Sequence, residues 1–269
     1  MKKIKYTSKN ADKFVLYEKA VQNPDYDAVF VKKLVNRISG RKLKTIKEDF
    51  CGTFAFACEW VKLNPEHEAI GVDLDLPTLE WGKNRNMVGL TDEQKKRIQL
   101  KNRNVIGYTN PKVDVVAAFN FSYFIFKTRA EMKAYFRNSL KSLKPGGIFL
   151  LDAFGGSEAV LLQEEKRDCE GFTYVWDHAA YSPVTADMTC KIHFEFSDGS
   201  KMRNAFTYEW RLWTLPEIME LLREAGFENL EVYWEGTERA TGEGNGVFRK
   251  TEKGEPCQSW IAYIAARKT

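Results

Sequence analysis

No apolar run among the 269 residues reaches the roughly 18 that make a membrane-spanning helix, so no membrane partner is expected. The N-terminal stretch "MKKIKYTSKNADKF" is basic but has no apolar segment behind it, so it is not read as a secretory signal. Cysteine is sparse: Cys51, Cys58, Cys169, Cys190 and Cys257 are odd in number and contain no CxxC pair. A reduced, cytoplasmic setting fits that better than a disulfide framework. The three histidines, His67, His178 and His193, lie far apart in sequence, and no metal-ligand cluster is expected. Charge of either sign is nearly balanced, with 41 basic and 37 acidic residues. So small an excess does not predict a nucleic-acid partner, and the densest basic stretch, "SGRKLKTIK" (39–47), reads as a solvated loop. No GxxxxGK[ST] phosphate loop occurs, which excludes ordinary ATP hydrolysis, and there is no internal repeat.

What the chain does have is an alternating rhythm. Two helical pieces surround "NPDYD", with Val15, Leu16, Lys19 and Ala20 on the first and Val29, Phe30, Lys33, Leu34 and Ile38 on the second. Strand-like and helix-like segments then alternate from "TIKEDF" to "GIFLLDAF", which implies a parallel sheet with helices on both faces. Near residue 171 the pattern changes to three aromatic strands, with "SDGS" (197–200) as a hairpin turn. A helix, two more strands and a polar, glycine-rich loop, "ERATGEGNGVFRKTEKGEP", complete the chain. The expected architecture is one α/β domain with a mainly parallel seven-stranded sheet and a small antiparallel insertion. Its parts are an N-terminal helical lid (1–44), a cofactor-binding half (45–156), an inserted substrate cap (171–213), and a C-terminal helix with strands (214–269).

Ligands of open α/β sheets bind beyond the carboxyl ends of the strands. Five such ends are legible: "EDFCGT", "GVDLD", "NRNV", "FNFSY" and "LLDAF". Gly52 lets a ligand approach the backbone. Asp73, 21 residues beyond it, can accept hydrogen bonds from both ribose hydroxyls, with Asp75 its neighbour. Asn104 can pair with an adenine amino group. Phenylalanines stand at positions 50 and 54, where a dinucleotide loop carries glycine, and they crowd a pyrophosphate. A nucleoside without phosphates needs less clearance, and a sulfonium and an amino group tolerate nearby acids such as Glu48 or Asp49. Sterics and charge thus favour S-adenosylmethionine over NAD. Whether Phe50 and Phe54 point into the pocket or back into the sheet stays open.

The ordered segments "EDFCGTF", "AIGVDLD", "VDVVAAFNFSYF" and "LKPGGIFLLD" resemble the motifs of class I S-adenosylmethionine-dependent methyltransferases. Within that family, "EDFCGT" and "FTYEWRLWTLPEI" (206–218) are similar to a bacterial and plant subgroup. The resemblance implies a Rossmann-like methyltransferase fold. It places Glu48 at the motif's acid, Phe50 and Phe54 at two missing glycines, and Cys51, Gly52 and Thr53 in the backbone cradle. It further implies Asp73 at the ribose, Leu74, Asn104 and Val105 at the adenine, Asn120 and Phe121 beneath the sulfonium methyl, Ser122 as a further cofactor-binding residue, and Tyr17 and Gln22 as lid residues.

Methyl transfer is an in-line displacement that alignment and exclusion of water can catalyse, so no obligatory catalytic residue is demanded. "NFSY" (120–123) lacks the prolines of base-amine methyltransferases, which argues against nucleic acid as acceptor. The expected acceptor is a small amine or carboxylate-bearing metabolite. Aromatic residues of the cap can hold an amine by cation–π attraction. Arg211 can pair with a carboxylate. Tyr208 belongs to the aromatic wall, and His178 and His193 are the candidate general bases. Two other classes share these features: a non-catalytic module that binds S-adenosylmethionine or its product, and an NAD-dependent oxidoreductase.

Overall fold

A computed structural model describes residues 6–238 and 244–269. After helices α1 (Lys13–Val21) and α2 (Pro24–Ser39), the chain forms β1 (Thr45–Asp49), α3 (Ala55–Lys62), β2 (Glu68–Asp73), α4 (Leu76–Arg85), α5 (Asp92–Lys96), β3 (Ile98–Asn102), β4 (Val113–Ala118), α6 (Arg129–Ser142) and β5 (Leu143–Gly155). Strands β6 (Glu164–Cys169), β7 (Phe172–Tyr181), β8 (Asp187–Glu195) and β9 (Lys201–Arg211) follow. Then come α7 (Leu215–Ala225), β10 (Glu228–Thr237), β11 (Gly244–Thr251) and β12 (Trp260–Arg267).

The main sheet has the order β11-β10-β12-β5-β4-β1-β2-β3. Strands β1 to β5 are parallel to their neighbours in that set, while β12 runs antiparallel to β5 and β10 antiparallel to β12. The strand order reverses at β1, which has β2 on one side and β4 on the other, so β1 and β4 flank the ligand-binding crevice of such a sheet. Strand β4 is buried throughout, as a strand covered on both faces must be. Its alternate residues serve two cores: Val116 and Ala118 face α6 and α7, and Val115 and Ala117 face α2 and α3.

Local sequence explains the helix ends. Thr214 and Glu217 form a capping box at α7, as Thr128 and Glu131 do at α6. Gly40 closes α2 with φ 69°, as its position predicts. On α2 the buried stripe is Ala28, Val31, Leu34 and Val35; of the expected Val29, Phe30, Lys33, Leu34 and Ile38, Leu34 is in it, Phe30 and Ile38 pack against the same core half-buried, and Val29 is exposed. The helix rotates its smaller residue, Ala28, against the sheet.

Two corrections concern strands. The main sheet has eight strands, not seven, because β11 pairs antiparallel to β10 within the segment read as a loop. The loop's residues 239–243 lie outside the described residues. The cap is a four-stranded sheet, β6-β7-β8-β9, beginning at Glu164 rather than near 171. Both missed strands lie on sheet edges and are largely exposed, so no hydrophobic alternation marks them. The cap's inner face carries Trp176, Tyr208 and Trp210, and its outer face carries charged residues such as Glu195 and Lys201. One-sided burial of this kind is usual for an antiparallel sheet. None of the helices among the described residues is long and apolar enough to cross a membrane.

Candidate functional site

The loop after β1 keeps a glycine-loop backbone without the glycines. Phe50, Gly52 and Phe54 all take positive φ, at 59°, 51° and 48°. The two phenylalanine side chains part ways. Phe54 is fully buried beneath α4, where a Cβ added to Gly82 would lie 2.5 Å from its ring. Phe50 packs against Tyr135 and Phe126 with ring centroids 5.6 and 6.1 Å away, and one side of it borders a cavity. A Cβ at Gly52 would meet nothing within 4 Å, so the centre of the loop faces open space.

That space is a cavity of about 320 Å³ at the ends of β1, β2 and β4. Asp73 stands beside it. Its Oδ2 accepts from the Gly52 N–H at 2.8 Å and its Oδ1 from the Asp75 N–H at 2.9 Å. The cavity also brings together Tyr17, Gln22, Glu48, Phe50, Cys51, Thr53, Asn120 and Ser122 from the expected set. Leu74, 67% exposed, and Asn104 and Val105 border neither this cavity nor the one described below. Val105 is buried in the core, and the Asn104 side chain accepts from the nearby Ile106 N–H at 2.8 Å, the local turn that asparagine favours. The sequence reading missed Phe14, Thr78, Phe119, Ile125 and Phe206 in the cavity wall. Only α1 and the cap folding over the sheet bring Phe14 and Phe206 there, and they carry no local signal.

The floor of this region is acidic. Glu48 is buried, and burial holds its carboxyl well above the usual range, against the pull of an Ala57 backbone hydrogen bond. Asp73, Asp49 and Asp27 add to the rise. Asp27, at the start of α2, is pushed up to about 6, mainly by burial. Asp49 is neutralised differently: Lys47, itself 1% exposed, approaches it at 3.2 Å, and the Tyr135 hydroxyl donates to it at 3.1 Å. Two buried acceptor atoms bordering the cavity, Glu48 Oε2 and Gln22 Oε1, have no donor among the described residues.

Helix α1 closes the cavity from above. Thr53 Oγ1 and Asn86 Nδ2 both donate to Glu18 Oε1, at 2.6 and 2.7 Å. From the cap side, Arg167 donates to the Ala20 carbonyl and stacks on Tyr174. Tyr17 and Tyr208 both border the cavity, and burial pushes Tyr17 up to about 12 and Tyr208 well above its usual value. Both phenols therefore stay protonated at neutral pH.

A second cavity, of about 570 Å³, lies between the cap, the end of β5 and the β10–β11 hairpin. It shares Tyr17, Asn120, Tyr208 and Trp210 with the first, and Phe121 and Trp176 also border it. Glu158, Glu165 and Glu235 border it as well, Glu235 accepting from the Gly246 N–H at 2.8 Å and Glu165 from Gln163 Nε2 at 3.2 Å. Among the described residues, the Lys and Arg that border it are engaged elsewhere, Lys166 with Glu195 at 3.0 Å and Arg167 as described.

The remaining candidates divide. His178 borders the larger cavity, but its Nε2 accepts from the Trp176 indole at 2.6 Å, which takes the lone pair that a base would use. Burial also lowers its pKa. His193 borders neither cavity. Its Nδ1 accepts from the Asn204 N–H at 2.7 Å, so its protonated Nε2 donates to Asp177 at 3.1 Å. His193 does come within 4.8 Å of Glu164 and Asp177, a cluster the sequence spacing did not suggest. The protonated Nε2 is, however, the atom a metal would need, and Glu164 faces Arg203 at 3.8 Å. Arg211 stacks on Trp213 at 3.8 Å and pairs with Glu217 at 3.1 Å, outside both cavities.

No protein-family model matches the chain, and no curated protein matches it in sequence. Solved structures do. The S-adenosylmethionine-bound CalS10, an amino pentose methyltransferase from Micromonospora echinaspora, aligns with a TM-score of 0.67 at 16% identity over 95% of this chain and 96% of that one. DesVI of Streptomyces venezuelae aligns with a TM-score of 0.66 at 16% identity, over 95% and 96%. An S-adenosylmethionine-dependent methyltransferase of Clostridium acetobutylicum aligns at 0.63 and 17% identity, over 94% and 97%. The fold of this chain is therefore the Rossmann-like fold of these S-adenosylmethionine-dependent methyltransferases.

Proposed function

We propose that the protein transfers a methyl group from S-adenosylmethionine to the nitrogen of a small amine. One observation carries the cofactor assignment: Glu48 Oε2 and Gln22 Oε1 are buried acceptors without donors at the edge of the smaller cavity. Leaving such groups unpaired costs about 1–3 kcal/mol each, and an ammonium group supplies the missing donors. Asp73 and Asp75 border the same cavity, which suits a ligand that is also a sulfonium cation. Asp73 holds the ribose in this reading, and Gly52 leaves room for the nucleoside.

Electrostatics narrows the acceptor. The larger cavity has an aromatic wall with carboxylates around it, and its cations are already engaged. Among the described residues a carboxylate-bearing acceptor finds no free cation there, whereas an amine finds cation–π surface and acidic neighbours. Structures of similar fold described as an amino pentose methyltransferase and a sugar N-methyltransferase support an amine acceptor. Asn120, Tyr17 and Tyr208 stand where the two cavities join, the point at which sulfonium and nitrogen meet. Their part is to align the two ligands and to exclude water. The lone pair of the unprotonated amine forms the new C–N bond as the sulfonium C–S bond breaks, S-adenosylhomocysteine leaves, and the surplus proton of the methylated nitrogen passes to solvent on product release.

Calorimetry with S-adenosylmethionine, S-adenosylhomocysteine and NAD tests the cofactor, and a preference for NAD overturns it. Labelled-methyl transfer from S-adenosylmethionine into amine and carboxylate fractions of a cell extract tests the reaction. Tight binding with no label transferred would reduce the protein to a binding module.

A further inference from the structure

Asp152 lies in β5 on the same face as Ile148 and Leu150, among apolar neighbours, and is 6% exposed. It borders neither cavity. Its carboxylate nevertheless has a defined task. Oδ2 accepts from the Asn120 N–H at 2.7 Å, and Oδ1 accepts from the next amide, Phe121, at 2.9 Å. Those two residues are in succession left-handed, with φ 55° and 57°. A side chain bearing a Cβ is strained in that conformation, so the turn persists only where its surroundings over-determine it. An ionised carboxylate is suited to this, since each oxygen takes one amide in a charge-assisted bond. The strand is pinned in turn, because the Tyr123 hydroxyl donates to the Asp152 carbonyl at 2.7 Å.

Asn120 borders both cavities and Phe121 the larger one. The turn thus stands where cofactor and acceptor meet. We propose that Asp152 is a positioning residue for methyl transfer, its carboxylate fixing the Asn120–Phe121 turn and so the side chains between the two ligands. This rests on the methyltransferase reading above.

A pH dependence follows. Asp27 of α2 faces Asp152, as do the phenols of Tyr17 on α1, Tyr123 after β4 and Tyr263 on β12. Burial, chiefly, pushes the carboxyl up to about 7, against the pull of the Phe121 and Asn120 amides. Only the ionised form offers two acceptors. Protonation turns one oxygen into a donor facing an N–H, so the turn loosens as pH falls through about 7.

The test uses the full chain with Asp152→Asn and Asp152→Ala. Amide exchange at Asn120 and Phe121 is read by NMR, S-adenosylhomocysteine binding by calorimetry, and label transfer with the amine fraction. In the wild type, protection of both amides is expected to fall between about pH 8 and about pH 6, with no variant needed. In Asp152→Asn, protection is lost at every pH and kcat drops on the order of 10- to 100-fold. S-adenosylhomocysteine affinity changes by less than about threefold, and the acid limb near neutral pH disappears from the rate profile. Wild-type amides equally protected at both pH values, or a variant with unchanged kcat and an unchanged acid limb, would overturn the proposal. A wild type that binds S-adenosylhomocysteine but labels nothing removes the methyltransferase reading and this role with it, while the exchange data still decide whether the carboxylate clamps the turn.

Discussion

The backbone N–H of Gly52 donates to Oδ2 of Asp73 at 2.8 Å, tying the loop after β1 to the end of β2. The same carboxylate holds the Asp75 N–H. Asp73→Ala removes both acceptors and the proposed ribose partner. S-adenosylhomocysteine binding, measured by calorimetry, should weaken by roughly 1–3 kcal/mol. Unchanged affinity would move the ribose site elsewhere.

Gly52→Ala probes the same loop from the other side. The added Cβ meets no protein atom, so the fold has room for it, though φ 51° imposes a strain of about 1 kcal/mol. The methyl group instead enters the space assigned to the cofactor. A melting temperature lowered by only a few degrees should accompany an S-adenosylhomocysteine affinity weaker by about 1–3 kcal/mol.

Glu48 links stability to pH. An unfolded glutamate loses its proton near 4.3, whereas burial keeps folded Glu48 protonated well above that. The unfolded chain therefore releases this proton first, and the group's contribution to stability is lost as pH rises from the ordinary glutamate range through the raised folded value. Glu48→Gln should abolish that slope in urea titrations at about pH 5 and about pH 8. The ligand-free variant should be the more stable protein at the higher pH and the poorer binder of S-adenosylmethionine. Parallel pH slopes for the two proteins would show Glu48 ionised in the folded state.

Lys47 and Asp49 form a buried pair, with Lys47 also donating to Ser142 Oγ at 3.0 Å and to the Tyr108 carbonyl at 3.2 Å. Lys47→Ala strands the Asp49 carboxylate, and urea unfolding should register a loss of about 3–5 kcal/mol. The double variant Lys47→Met, Asp49→Leu should recover most of it, since no charge is left unpaired.

Glu18 holds the lid helix down through Thr53 and Asn86. In Glu18→Ala, α1 should lose hydrogen-exchange protection, and S-adenosylhomocysteine should associate and dissociate faster in stopped-flow measurements. Unaltered rates would mean that α1 does not gate the cavity.

Much of the fold was legible because its signals are local. Strand–helix alternation marked β1 to β5, "KPGG" and Gly40 marked helix ends, and "SDGS" marked the hairpin whose Gly199 takes φ 82°. The edge strands β6 and β11 were not legible, because an exposed edge buries no alternating face. Site residues divided in the same way. Asp73 and Gly52 sit at strand ends, where pattern and chemistry coincide. Arg211 and His193 were candidates in sequence, but the partners the fold brings to them, Glu217 for Arg211 and Asn204 of the neighbouring strand for His193, draw them off the cavities.

By itself the sequence determined the α/β class, the strand ends at which a ligand can bind, and the replacement of two loop glycines by phenylalanine. Only the tertiary structure decided what those phenylalanines do, because their direction depends on distant neighbours. Phe54 is directed beneath α4 by the space left at Gly82, and Phe50 is held against Tyr135 of α6. Both keep a left-handed backbone, so the loop retains its shape and the open space above Gly52 without its glycines.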